Sequence, residues 1–87
     1  MGIRLKINKC RIDLYNTENI VCADGFKREV NRFRIDSITK SGKSAICVFY
    51  KNDLCISDMA KRITYRNGEL AVKINGTAYK IGEYEEV

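Results

Sequence analysis

Two Asn-Gly dipeptides, Asn67-Gly68 and Asn75-Gly76, punctuate the stretch RITYRNGELAVKINGTAYKIG, residues Arg62 to Gly82. Each lies between residues that alternate apolar and polar. Asn-Gly between alternating runs is the strongest short-range signal for a two-residue β-hairpin, because a type I′ turn needs φ > 0 at both central positions. The stretch therefore reads as a three-stranded antiparallel meander. The turns predict the register. Around the first, Arg66 faces Glu69, Tyr65 faces Leu70, Ile63 faces Val72 and Arg62 faces Lys73. Around the second, Ile74 faces Thr77, Val72 faces Tyr79 and Leu70 faces Ile81.

Period-two alternation then separates two faces. Ile63, Tyr65, Leu70, Val72, Ile74, Tyr79 and Ile81 form an apolar face that must be buried. Arg62, Thr64, Arg66, Glu69, Ala71, Lys73, Ala78 and Lys80 form an outer face with four cations against one anion. Such a face is a solvated surface, an anion-binding one or a surface for a partner protein.

At 87 residues the chain is one domain, which buries only about 60% of its unfolded surface. The N-terminal run MGIRLKINK alternates too, without the long apolar segment of a signal peptide. No apolar run approaches the roughly 20 residues that span a membrane. The expectation is a cytoplasmic protein without a membrane partner. Ile3, Leu5 and Ile7 are followed by Cys10, Ile12 and Leu14 in shifted phase. A turn at Asn8-Lys9 explains the shift and predicts a hairpin with Lys6 opposite Arg11 and Tyr15 outward beside Gly2. One long strand with a bulge near Lys9 is the competing reading.

Asn16 to Asn19 reads as a loop, Ile20 to Ala23 as a short strand and Asp24-Gly25 as another turn. Phe26 to Asn31 reads two ways: Phe26, Val30 and Phe33 have helical spacing, whereas Arg32 to Thr39 alternates as a strand. Lys40 to Lys43 is a turn. Ala45 to Tyr50 (AICVFY) is apolar in both phases, as in a central strand covered on both sides or one at a subunit interface. Asn52-Asp53 is a turn, Leu54 to Ile56 a short strand, and Ser57 to Lys61 a single helical turn capped by Ser57.

The fold class expected is all-β, with at most one short helix: a small twisted antiparallel sheet or barrel of about six to eight strands, ending in the meander. The domain is expected over residues 1–82, with residues 83–87 as an acidic tail. That boundary follows the charge. All 16 Lys and Arg precede Ile81, while Glu83, Glu85 and Glu86 follow it, so residues 1–82 carry +8 of a whole-chain total of +5. Closing into a barrel, or pairing as a homodimer, are the two ways for such a domain to remove its sheet edges.

Catalytic motifs fail on inspection. Gly42-Lys43-Ser44 resembles the end of a P-loop, but the first glycine would be Ser37, and a strand follows where a helix is needed. The chain has no His for general acid–base work. Its cysteines, Cys10, Cys22, Cys47 and Cys55, have neither CxxC spacing nor a His partner, so no metal site or cofactor is expected. They read as reduced thiols, with Cys10 and Cys47 in apolar strand positions.

The expected function is a non-catalytic module that binds a phosphate-bearing ligand, nucleic acid or nucleotide. Lys6 and Arg11 on the first hairpin and Arg62, Arg66, Lys73 and Lys80 on the meander are the candidate contacts. Arg can grip phosphate bidentately and Lys acts as a point charge. Lys27, Arg28, Arg32 and Arg34 form a secondary basic patch. Tyr15 is the candidate aromatic for stacking on a single strand. The alternative is a small inhibitor or adaptor that meets an acidic protein partner. Phage-encoded inhibitors of host defence such as anti-CRISPR proteins share this size and the lack of catalytic motifs, an analogy that rests on no sequence match.

Overall fold

A computed structural model describes residues 2–87. Its seven strands are β1 (Ile3–Ile7), β2 (Ile12–Val21), β3 (Lys27–Ile38), β4 (Ser44–Lys51), β5 (Leu54–Arg66), β6 (Glu69–Ile74) and β7 (Thr77–Glu86). There is no helix among the described residues. The strands form one antiparallel sheet in the order β1-β7-β6-β5-β4-β3-β2, curled into a half-barrel.

The curl follows from the chain. Only residues 8–11 join the two outermost strands, β1 and β2. Five extended residue steps span about 17 Å, whereas a flat seven-stranded sheet would hold its edges about 29 Å apart. Four register breaks supply the bend, between Asp13 and Glu18 in β2, Ile35 and Ser37 in β3, Phe49 and Tyr50 in β4, and Leu70 and Ala71 in β6. A bulge bends its strand and increases the local twist. Side chains then tie the lip of β2 to the β6–β7 hairpin. The Tyr15 N–H donates to Tyr79 Oη at 3.2 Å, and Asn75 Nδ2 donates to Glu18 Oε2 at 3.0 Å and to the Asn19 carbonyl at 2.9 Å.

The two Asn-Gly turns form as expected, with φ of 52° and 79° at Asn67-Gly68 and 48° and 86° at Asn75-Gly76. Arg66 faces Glu69, Tyr65 faces Leu70, Ile63 faces Val72, Ile74 faces Thr77 and Val72 faces Tyr79. Two expected pairs do not form. Leu70 faces Gly82, because Ile81 is the extra residue of a bulge in β7. Arg62 faces Ser44 on β4 and not Lys73, because β5 leaves β6 at Ile63 and continues along β4.

The N-terminal hairpin is also corrected. β1 pairs with β7 and β2 with β3, so β1 and β2 are never neighbours. Neither Asn8 nor Lys9 has the positive φ that a two-residue turn requires. Instead the Asn8 N–H bonds the Ile81 carbonyl at 2.9 Å and the chain crosses to the opposite lip. Asn16–Asn19 belongs to β2, although it lies in the stretch where β2 and β3 lose register. Phe26–Asn31 and Ser57–Lys61 contain no helical turn. Lys27–Asn31 lies in β3, and Ser57–Lys61 is the middle of β5, held by an unbroken ladder to β4. The acidic segment is part of the sheet: β7 runs through Glu86, with Glu83 opposite Lys6 and Glu85 bonded to Arg4 at 2.9 Å.

The core is one cluster in the hollow of the sheet. Phe33, Phe49, Ile35, Leu70, Ile74, Ile81, Val30, Val72 and Cys47 are its fully buried large side chains. An aromatic series runs inward, Tyr15 to Tyr79 to Phe33 to Phe49, with ring centroids 5.0, 5.6 and 6.0 Å apart. The doubly apolar run in β4 is explained without a second sheet. Ala45, Cys47 and Phe49 face the core, while Val48 and Tyr50 face outward under arginines. Arg34 lies opposite Val48 and donates from Nε to Tyr50 Oη at 2.8 Å, and the Arg11 guanidinium sits 4.1 Å over the Tyr50 ring. Long cationic side chains thus cover apolar surface with their stems.

All four cysteines are unpaired. Cys22 and Cys47 are buried, and Cys55 and, against expectation, Cys10 are exposed. Burial pushes the Cys47 thiol up to about 11. The folded chain therefore favours the neutral thiol. That contribution to stability is complete below the ordinary thiol value of 9.0 and is lost as pH rises through about 11. Alkylation of the native protein at mildly alkaline pH is expected to modify Cys10 and Cys55 quickly and to spare Cys22 and Cys47 until denaturant is added. Mass spectrometry counts the adducts, and rapid modification of all four would contradict this packing.

Candidate anion-binding face of the meander

The outer face of the meander carries its cations because the Asn-Gly turns fix which phase of β5, β6 and β7 points away from the core. Arg62, Thr64 and Arg66 on β5, Glu69 and Lys73 on β6, and Ala78 and Lys80 on β7 are all outward, with Ala71 between them. The expected six contacts do not form one site. They fall into four places.

Arg66 and Lys73 come together. They rim a shallow groove of about 280 Å³ whose floor is Thr64, Ala71 and Ala78. Arg66 lies directly opposite Glu69, yet the Glu69 carboxylate turns to Lys80, with Oε2 3.1 Å from Nζ. That bond holds the Lys80 ammonium above its ordinary range. Glu69 is the only acid lining the groove, and neither Arg66 nor Lys73 forms an ion pair among the described residues.

Arg62 is separated from this groove. It lines a second concavity with Lys43, Ser41 and Gly42 of the β3–β4 turn and with Tyr65, Tyr84 and Glu86. Tyr65 Oη donates to the Gly42 carbonyl at 2.6 Å, which seats the turn against β5. Lys6 and Lys80 meet at the β1–β7 pair, where Lys9 joins them around a third concavity with Glu83. Lys9 is already engaged there, donating from Nζ to the Asp36 carbonyl at 2.7 Å.

Arg11 lies elsewhere, with the secondary patch. It pairs with Asp53 at 3.1 Å. Arg32 pairs with Asp13 at 2.8 Å and lies 3.6 Å from Asp53, and Arg34 pairs with Asp36 at 3.2 Å. Arg28 pairs with Asp24 at 2.8 Å, and the bond from Arg28, helped by the Phe26 N–H, holds the Asp24 carboxyl below its ordinary value. Of the expected patch, only Lys27 is free of such a partner among the described residues. The densest run of cations in the sequence is therefore the most thoroughly neutralised surface in the fold. Of the seven arginines, Arg62 and Arg66 alone have no ion pair among the described residues.

Tyr15 is highly exposed, at 75%, but its neighbour is Tyr79 and not Gly2. Its ring stacks on Tyr79 with an interplanar angle of 28°, and its backbone is held by the Tyr79 hydroxyl. Lys9 and Lys43 are cations near these sites that sequence reasoning passed over. Their turns approach β7 and β5 only through long-range pairing. No group of three or more His, Cys, Asp or Glu side chains is placed to hold a metal ion among the described residues. Among the described residues, no helix is long and apolar enough to cross a membrane. Comparison with protein-family models, curated proteins and solved structures finds no match to this chain.

Proposed function

We propose that this protein is a non-catalytic binding module that holds the phosphates of a nucleic acid on the outer face of its C-terminal meander. The observation that carries the reading is the groove between Arg66 and Lys73. Two cations without carboxylate partners flank a floor of Thr64, Ala71 and Ala78, in a chain that neutralises most of its other arginines. Small floor residues let a phosphodiester come within reach of both heads. Arg supplies a bidentate grip and Lys a point charge. Arg62 and Lys43 extend the positive surface along β5.

Fluorescence anisotropy against labelled single- and double-stranded oligonucleotides tests this directly. At low salt the wild-type chain is expected to bind. Arg66→Glu with Lys73→Glu is expected to weaken binding at least about tenfold, while Arg28→Glu, at an arginine already tied to Asp24, changes it far less. Equal loss in both variants would remove the groove from the account. An acidic protein partner would use the same unpaired cations. That reading takes over if neither oligonucleotide binds at low salt.

A further inference from the structure

The sheet has a free edge in its middle. From Leu54 to Arg62, β5 pairs with β4 alone, and only from Ile63 onward does β6 occupy its other side. The Ile63 N–H donates to the Lys43 carbonyl at 2.8 Å, and the β4–β5 register is unbroken from Arg62 back to Ser57. Antiparallel bonding alternates along a strand. The backbone groups of Ser57, Met59 and Lys61 therefore turn to β4, and those of Asp58, Ala60 and Arg62 turn to the side where no strand pairs with β5. Beside this edge Ile56 and Met59 are only half-buried, although both pack against the core. An open edge of this kind is a template for another strand.

The charges select the strand. Asp58 and Arg62 are both exposed, both on the outer face, and neither forms an ion pair among the described residues. Ala60 lies between them. We infer that this edge binds a second copy of the chain, antiparallel, with Ala60 on the twofold axis. In that register Asp58 lies opposite the partner subunit's Arg62, and Arg62 opposite the partner subunit's Asp58. All the outward backbone groups of Asp58, Ala60 and Arg62 find partners, and the two opposite-charge pairs fall on the same face. Neighbouring registers lack this match. An axis at Asp58 or at Lys61 sets like charges against each other, and an axis at Met59 leaves Asp58 opposite alanine.

Lys61, half-buried on the core-facing side, guards the edge against unselective pairing, as inward-pointing charges do. With Ala60 on the axis it meets the partner subunit's Met59, where its aliphatic stem covers the thioether side chain. The pairing does not rest on the phosphate reading. Arg66 and Lys73 lie outside the paired segment, whereas Arg62, which extends the positive surface in the free chain, is taken up by the partner subunit's Asp58 in the dimer.

Sedimentation equilibrium on the full chain, over a rising concentration series, provides the test. The wild type is expected to move from 10.0 kDa towards twice that mass. Asp58→Arg and Arg62→Asp each place like charges across the axis and are expected to weaken dimerisation at least about tenfold. The double swap, Asp58→Arg with Arg62→Asp, is expected to restore it. Ala60→Pro removes an N–H on the open side, where an edge strand tolerates proline, and is expected to give a folded monomer by circular dichroism. If that variant fails to fold, the charge swaps decide alone. A wild-type chain that stays monomeric overturns the inference and leaves the edge to a strand from another protein. A dimer that survives both single swaps, or a double swap that stays monomeric, overturns it as well.

Discussion

Phe33→Ala is expected to lose about 3–5 kcal/mol of stability, the cost of emptying a large aromatic side chain from a close-packed core. Phe33 has no exposed surface and is the ring through which Tyr79 on β7 and Phe49 on β4 meet, at 5.6 and 6.0 Å. It thus joins the two halves of the curled sheet across the hollow. At roughly 0.05–0.15 kcal/mol per residue, a domain of this length holds about 4–13 kcal/mol in all. The substitution therefore takes a large part of the total and, at the low end, unfolds the protein. Phe26 serves as the control, because it is 67% exposed in the β2–β3 turn. Phe26→Ala is expected to change stability by no more than about 0.5 kcal/mol. Urea denaturation followed by far-ultraviolet circular dichroism measures both. Equal, small losses would mean that the hollow of the sheet is not the core.

Gly82→Ala is the second large effect, and its cause is local. Gly82 lies opposite Ile7 where β1 docks on β7, next to the bulge at Ile81. A Cβ built on Gly82 would overlap the Lys6 carbonyl oxygen and lie 3.1 Å from Ile7 Cα. Both obstacles are backbone, so no side-chain rotation relieves them. β1 must shift, and with it Leu5 and Ile7, which pack against the core. Overpacking of this kind costs about 1–3 kcal/mol. The loss is expected to be uneven: hydrogen-exchange protection falls along β1 and the facing part of β7, while β3 and β4 keep theirs. A variant as stable as the wild type, with β1 still protected, would contradict the close approach.

The elements that local chemistry decides were legible in the sequence. Asn67-Gly68 and Asn75-Gly76 specify turns through φ alone, and the turns carry the register for several residues on either side. Register failed where a bulge intervened. Gly82 is a local mark, since an isolated glycine in a strand signals a bulge or a close backbone approach, but it does not say which backbone approaches; that is β1, more than seventy residues earlier in the chain. The N-terminal hairpin failed for a related reason. Alternation in Ile3–Leu14 shows which side chains face a core, and it does so equally well whether the strands pair with each other or with distant ones. Ser57–Lys61 contains Met, Ala and Lys, good helix formers, and the ladder to β4 overrides them.

The candidate site was legible to the same depth. The phase of Arg66 and Lys73 follows from one turn and was correct. Arg62 was assigned the wrong neighbour because β5 changes partners at Ile63, which only the whole sheet reveals. The patch at Lys27, Arg28, Arg32 and Arg34 looked strongest by count. Its carboxylates come from the neighbouring strand β2 (Asp13), from the adjacent turns (Asp24 and Asp53) and from β3 itself (Asp36). A run of cations in sequence is not a positive field until its neighbours across the sheet are known.

The salt dependence of oligonucleotide binding tests the central claim most directly, because it counts neutralised phosphates and needs no structure of the complex. Log K plotted against log salt is expected to be linear and negative for the wild-type chain. Arg66→Ala with Lys73→Ala removes two contacts, and should flatten the slope by about 1.8 on duplex DNA or about 1.4 on a single strand. An unchanged slope in that variant, or no binding by the wild type at low salt, would contradict a phosphate-binding meander.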